Sequence, residues 1–358
     1  MNMNSFFRIC LMLSFSTLIF SCGYNRSDDT DDEEPPEISY TSGIYTINRG
    51  LEQNTIITGS ITFFDRQQEV GITNVFQLEN DGQNLGNGVQ SMTVFNGRGY
   101  IVARDNRRID VVDIETFKFL GSIPNLDKPR YFLPINNNKA YLSQWGPDGG
   151  TGSIQVIDLN ANAVIKSIPT RPGPERLIKK DDMIYVSNSG GFFLDSVLTK
   201  INPIMDEVVE TIEVGLSPQN MVIDRNNNLW VICRGFIGPN GDLKRPGSLI
   251  LLQNDETALE IELDPGAGNL VIENGRDRMF YTMRGAVYQH GITQTLVGAV
   301  PFIDHPYTTI GIDPQTNNIV AADAINFVSK GQVTIYNTGG QELVSYEVGI
   351  VPIEFWFQ

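Results

Sequence analysis

Apolar residues in this chain fall in short alternating runs, not in helical stripes. One stretch reads MIYVSNSGGFFLDSVLTKINPIMDEVVETIEVGLSPQNMVID, from Met183 to Asp224. Strict alternation over a few residues marks half-buried strands, and Gly, Pro, Asn and Asp mark the turns between them. The stretch therefore predicts an apolar strand, a loop, a second and a third strand, a Gly/Pro turn and a fourth strand. The same order recurs from Arg98 and from Lys139. GIYTINRG at Gly43, NLWVICRG at Asn228, RMFYTMRG at Arg278 and NIVAADAI at Asn318 open four more units. No segment sustains a helical period.

The seven opening strands centre on Tyr45, Tyr100, Tyr141, Tyr185, Trp230, Phe280 and Val320, between 40 and 55 residues apart. Four short strands in a unit of that length are the pattern of a propeller blade. The predicted fold is all-β: a seven-bladed β-propeller with four-stranded blades. Strands after the Gly/Pro turns, such as QSMTVFN, RYFLPIN and QNMVID, finish each unit. The first unit begins without one, and the chain ends on IEFWFQ, Ile353 to Gln358. The C-terminal strand is therefore expected to pair with GIYTINR and close the ring, which removes an exposed sheet edge.

Composition narrows the function. The net charge of −16 argues against nucleic acid, whose phosphates an acidic surface repels. Three cysteines and two histidines, none clustered, exclude the common structural zinc sites. No nucleophile elbow, P-loop or paired-histidine motif is present, so the chain is expected not to be an enzyme and to need no cofactor or metal. DRNNN at 224–228 lacks the acidic spacing of a calcium loop and reads as an Asn-rich turn. Cys233, in an apolar strand, reads as an inert core thiol, and His305 as a hydrogen-bonded turn residue.

The N-terminus carries a separate message. Arg8 precedes twelve uncharged residues, Ile9 to Phe20, too short for a spanning helix and typical of a signal peptide. Leu18-Ile19-Phe20-Ser21-Cys22 resembles a bacterial lipobox, which implies that Cys22 becomes the lipidated first residue. Residues 1–21 are then a signal peptide, 22–37 an acidic tether, and 38–358 the propeller. The acidic cluster after Cys22 (Asp28, Asp29, Asp31, Asp32, Glu33, Glu34) resembles the surface-export signal of Bacteroidetes lipoproteins. That resemblance implies an outer-membrane protein facing the cell exterior, held by lipid alone and monomeric in itself.

The repeats resemble the YVTN family in Tyr185–Asn188, in Val156–Asp158 and in the Val214–Pro218 turn. GSITFFD, NLGNGVQSM, KPRYFLP, KAYLSQW, PERLI and PQNMVID together resemble Bacteroidetes surface propellers of the DUF5074 type. That group includes cobalamin-capturing surface lipoproteins. The resemblance implies capture of a nutrient, cobalamin or another corrinoid, for a TonB-dependent outer-membrane transporter. The alternative is an accessory protein-interaction subunit of a cell-surface complex with no small-molecule ligand.

Candidate ligand contacts follow from the repeat. Alternation places the ends of the opening strands and the starts of the next strands on one face, which also carries the longer loops. Arginine stands at the same point in four units: Arg49, Arg104, Arg234 and Arg284. Trp145 and Asn188 occupy that point in two others, and Arg130, Gln219 and Tyr307 begin inner strands. Such a set suits a polar ligand bearing carboxylate, amide or phosphate groups. Alternatively, each arginine pairs with a nearby acid such as Asp105 or Asp242. Phe192, Phe193, Phe236 and Phe327, with Trp145 and Tyr307, supply aromatic lining to a funnel on that face, or the phenylalanines are loop cores or a dry patch for a partner.

Overall fold

The computed structural model describes residues 39–51, 58–241 and 243–358. The signal peptide, Cys22, the tether and Asp242 lie outside them. Residues Ser39–Gln358 form one compact unit, built from antiparallel sheets of consecutive strands. Seven such sheets are the blades.

Blade 4 shows the logic of each. Pro174–Lys180 lies innermost, followed outward by Met183–Asn188, Val197–Asn202 and Glu207–Glu213. The innermost strands of blades 2 to 7 begin at Val89, Pro129, Pro174, Pro218, Gly268 and Thr309. In blade 1 that place belongs to Pro352–Phe357, which pairs antiparallel with Gly43–Asn48. The expected closure is therefore present: the two ends of the propeller share one sheet. Blade 6 departs from the pattern. It has three regular strands, and a single bridge from Val287 to Ile303 stands where the fourth would be. A five-residue helix, Val75–Glu79, is the single α-helix among the described residues.

The core lies between the blades. Seven apolar clusters alternate around the ring, one at each junction of neighbouring sheets. At the closing junction, Ile44, Phe64 and Phe355 of blade 1 meet Val320, Val333 and Tyr346 of blade 7. Both faces of each middle strand are thus buried, so the half-burial that alternation predicts does not hold for these strands, which lie between two neighbouring blades.

The recurrent residues of the sequence acquire specific duties. The Tyr185 hydroxyl donates to Asp255 in the outer turn of blade 5 at 2.8 Å, and Tyr141 donates likewise to Asp206 in blade 4. The Asp closing Val-Ile-Asp accepts two backbone N–H groups in the following turn: Asp158 binds Asn160 and Ala161 at 2.8 and 3.1 Å. DRNNN is the Asn-rich turn expected. Asp224 accepts from the Asn226 and Asn228 backbones, each at 2.9 Å, and from the buried Trp230 indole. Such local side-chain bonds set a turn without a ligand.

Candidate functional site at the mouth of the ring

Second strands end, and inner strands begin, on one face, here called the upper face. Pro129 pairs with Gln144, Pro174 with Asn188 and Pro218 with Cys233. Directly after these prolines the register slips. Arg130 and Tyr131 together oppose Ser143, and Glu175 and Arg176 together oppose Ser187. Similar irregularities stand at Gln90, Gln219, Asn269 and Ile353, so six of the seven inner strands are bulged at their upper ends. A bulge admits an extra residue and re-aims side chains, as bulges at barrel rims do. Here it lets two successive polar residues of blades 3, 4 and 5 reach the mouth: Arg130 and Tyr131, Glu175 and Arg176, Gln219 and Asn220.

The bulges are held from the neighbouring blade. Ser91 donates to the Arg130 carbonyl at 2.7 Å, Ser143 to Glu175 at 2.7 Å, and Ser187 to Gln219 at 3.0 Å. The amides of Asn220 and Asn269 donate to Leu270 and Thr308 at 2.9 and 3.1 Å. Carbonyls at the upper ends of the inner strands are thereby paired, and these bonds hold the mouth in shape without a ligand.

At the centre is a polar recess of about 340 Å³. Arg130, Gln219, Arg234 and Tyr307 line it, together with Tyr131, Glu175, Arg176, Asn220, Asn269, Thr282 and Thr308. Arg130 binds Glu175 through two nitrogens at 3.0 and 3.2 Å and Gln90 at 2.5 Å, while its plane lies over Trp145 at 4.3 Å. Arg176 lies over the Tyr131 ring at 3.8 Å and pairs with Glu354 across the axis. Burial raises the Glu354 carboxyl above its ordinary range, against the pull of Arg176. Burial pulls Arg176 down, but Glu354, Tyr131 and Glu175 outweigh it and keep the guanidinium charged. Beneath this pair lies a second, more apolar space of about 290 Å³ bounded by Val222, Ile272, Ile312 and Phe357.

Two of the three central cations are thus neutralised by Glu175 and Glu354. Arg234 is different. It is exposed on the rim of the recess, and no acid pairs with it among the described residues. It is the positive charge open to an incoming anion.

The other expected contacts fall elsewhere. Arg104 pairs with Asp105 at 2.7 Å, and Arg284 pairs with Asp264 from a two-residue turn with positive φ at both positions. Arg49 sits between blades, its N–H bound to Val351 and its carbonyl to Gly88. The four equivalent arginines therefore do not converge on the axis. Second strands stand one strand spacing farther out than inner ones, about 4.8 Å, and the bulged residues fill the centre. Asn188 is fully buried, its amide donating to Arg171 and accepting from Thr199. Trp145 is the floor under Arg130. Tyr131, Glu175, Arg176, Asn269, Thr282, Thr308 and Glu354 were not among the expected contacts. A signal for several was present: a polar pair directly after the turn Pro in KPRY, GPER and SPQN.

Cys233 is fully buried, and burial pushes its thiol up to about 12. His305 bonds Asp323 at 2.9 Å and packs on Tyr307. No cluster of three His, Cys, Asp or Glu able to hold a metal occurs among the described residues.

The fold and this mouth define a seven-bladed propeller with a preformed polar recess on its axis. The chain belongs to the DUF5074 family, a domain of unknown function whose model matches residues 42–235. Among curated proteins none matches. Solved structures share the fold. A quinonprotein alcohol dehydrogenase-like protein from Bacteroides thetaiotaomicron superposes with a TM-score of 0.67 at 14% identity, over 90% of this chain and 79% of that one. Kuenenia stuttgartiensis hydrazine synthase gives 0.61 at 15% identity, over 79% and 90%. U3-55K gives 0.51 at 10% identity, over 74% and 82%. Such different names on one scaffold leave function to the site.

Proposed function

We propose that this protein is a binding protein of the cell surface, lipid-anchored through Cys22, that captures a polar nutrient at the upper mouth without transforming it. The carrying observation is the preformed recess in which Arg234 stands open among the amides of Gln219, Asn220 and Asn269 and the hydroxyls of Thr282 and Thr308. The Gln219 amide, the Asn269 amide oxygen and the Thr308 hydroxyl offer donors and acceptors, and the Arg234 guanidinium selects one anionic group. Corrinoids fit this description through their peripheral amides and single phosphodiester. They are also what the sequence resemblance implies. A TonB-dependent transporter is the proposed recipient.

The test is titration calorimetry of cyanocobalamin into the full-length protein in detergent. One-to-one binding, weakened by Arg234→Ala, supports the reading. Absence of heat and of any thermal shift rejects the corrinoid. A second reading, a protein-docking subunit, draws support from the open side chains of Ile325, Phe327 and Val328 on the blade 7 rim, 59%, 56% and 60% exposed. A partner that copurifies with the full-length protein and is lost on Phe327→Ser would favour it.

A further inference from the structure

Phe192 and Phe193 lie on the upper-face loop of blade 4 and are 66% and 62% exposed. Open phenyl rings forgo burial, so a loop free to relax would turn them inward. This loop is pinned. Its N–H groups at Gly190 and Phe192 bind the carbonyls of Pro172 and Gly149, each at 3.1 Å. Both rings lie against the bare Gly149–Gly150 backbone of the neighbouring blade. A Cβ on Gly149 would stand 2.2 Å from a Phe192 ring carbon, and one on Gly150 2.5 Å from Phe193. The glycines make room for the two rings, and the rings stay outward.

Phe192 is also joined to the recess. Its ring meets the edge of Trp145 at 5.6 Å, and the Lys128 ammonium stands 5.6 Å from its centroid. The face of Trp145 carries Arg130, which lines the recess. Guanidinium, indole, phenyl and ammonium thus run unbroken from the axis to the rim.

We propose that Phe192 and Phe193 form an aromatic subsite for the flat ring system of a ligand whose anionic end lies in the recess at Arg234. This rests on the reading of the recess given above. Phenyl faces are sequence- and substituent-tolerant platforms for any flat π system, and Lys128 beside them favours an electron-rich or anionic one. A space of about 340 Å³ holds only the polar end of a large ligand, so the rest must cross the rim. The ligand class is a planar heteroaromatic or macrocycle joined by a flexible polar chain to a phosphate or carboxylate.

Three probes on the full-length protein test it. Flavin mononucleotide carries ring, chain and phosphate; riboflavin lacks the phosphate; ribose 5-phosphate lacks the ring. Flavin fluorescence is expected to be quenched on binding. Phe192→Ala with Phe193→Ala should weaken flavin mononucleotide about tenfold, the scale of one stacking contact, and leave ribose 5-phosphate unchanged. Arg234→Ala should weaken both phosphates and spare riboflavin. If flavin mononucleotide binds no tighter than ribose 5-phosphate and the double variant has no effect, the subsite falls and the recess reading stands. If the double variant releases a copurifying protein without changing flavin affinity, the rings are a protein dock and the subsite falls. If no probe binds, both readings fall. Both rings are exposed, so an unchanged melting curve is expected to verify the double variant's fold.

Discussion

At the residue scale, arginines of one repeat position part company. Arg234 is open at the recess, whereas Arg284 is paired with Asp264 on an exposed turn. Arg234→Ala is expected to weaken an anionic ligand about tenfold to a hundredfold, the range of a charge-assisted hydrogen bond, with an unchanged melting temperature. Arg284→Ala is expected to leave affinity unchanged, and calorimetry on the two variants checks the contrast. Arg130 behaves in a third way, because it neutralises the buried Glu175. Removing it leaves that charge uncompensated, so Arg130→Ala should cost about 3–5 kcal/mol in urea unfolding. Cys233 gives a separate test. The thiolate is the reactive form, and burial that lifts the thiol to about 12 suppresses it. If Cys22 carries lipid and residues 1–21 are removed, the mature protein should show no thiol reactive toward a disulfide reagent while native, and one after unfolding.

At the element scale, closure and the bulges matter most. The final strand supplies the inner edge of blade 1, and Gln358 anchors both Arg66 and Gln315 through its carbonyl. Deleting Ile353–Gln358 should abolish the cooperative unfolding transition measured by circular dichroism. Phe355→Ala is milder. Its ring is buried at the junction of blades 1 and 7 and should cost about 3–5 kcal/mol. Closure was legible because one unit lacked a strand and the chain ended with a spare one. The bulges were not legible. Alternation assigns successive residues to opposite faces, and a one-residue register slip is decided by the neighbouring strand and by Ser143 or Ser187 across the junction.

At the scale of the whole molecule, the blades' second strands run toward the upper face, so Ser39 and Tyr40 enter the propeller on the opposite one. On the proposed reading, Cys22 carries the lipid anchor. Cys22→Ala should then move the protein from the membrane fraction to the soluble one in fractionated cells. Protease added to intact cells should degrade the wild-type protein if it faces outward.

By itself the sequence determined the class of fold, the number of blades, the closing strand and the face that carries the loops. These follow from periodicities of two and of about 45 residues, which are local properties repeated along the chain. Only the tertiary structure decided which polar residues meet. Convergence on the axis depends on radial distance and on bulges set by neighbouring blades. A shared repeat position conveys neither. Equivalent arginines therefore separated, Arg104 and Arg284 into ion pairs and Arg234 onto the recess, while the polar pairs behind the turn prolines, of which the sequence singled out Arg130 and Gln219, came together at the centre.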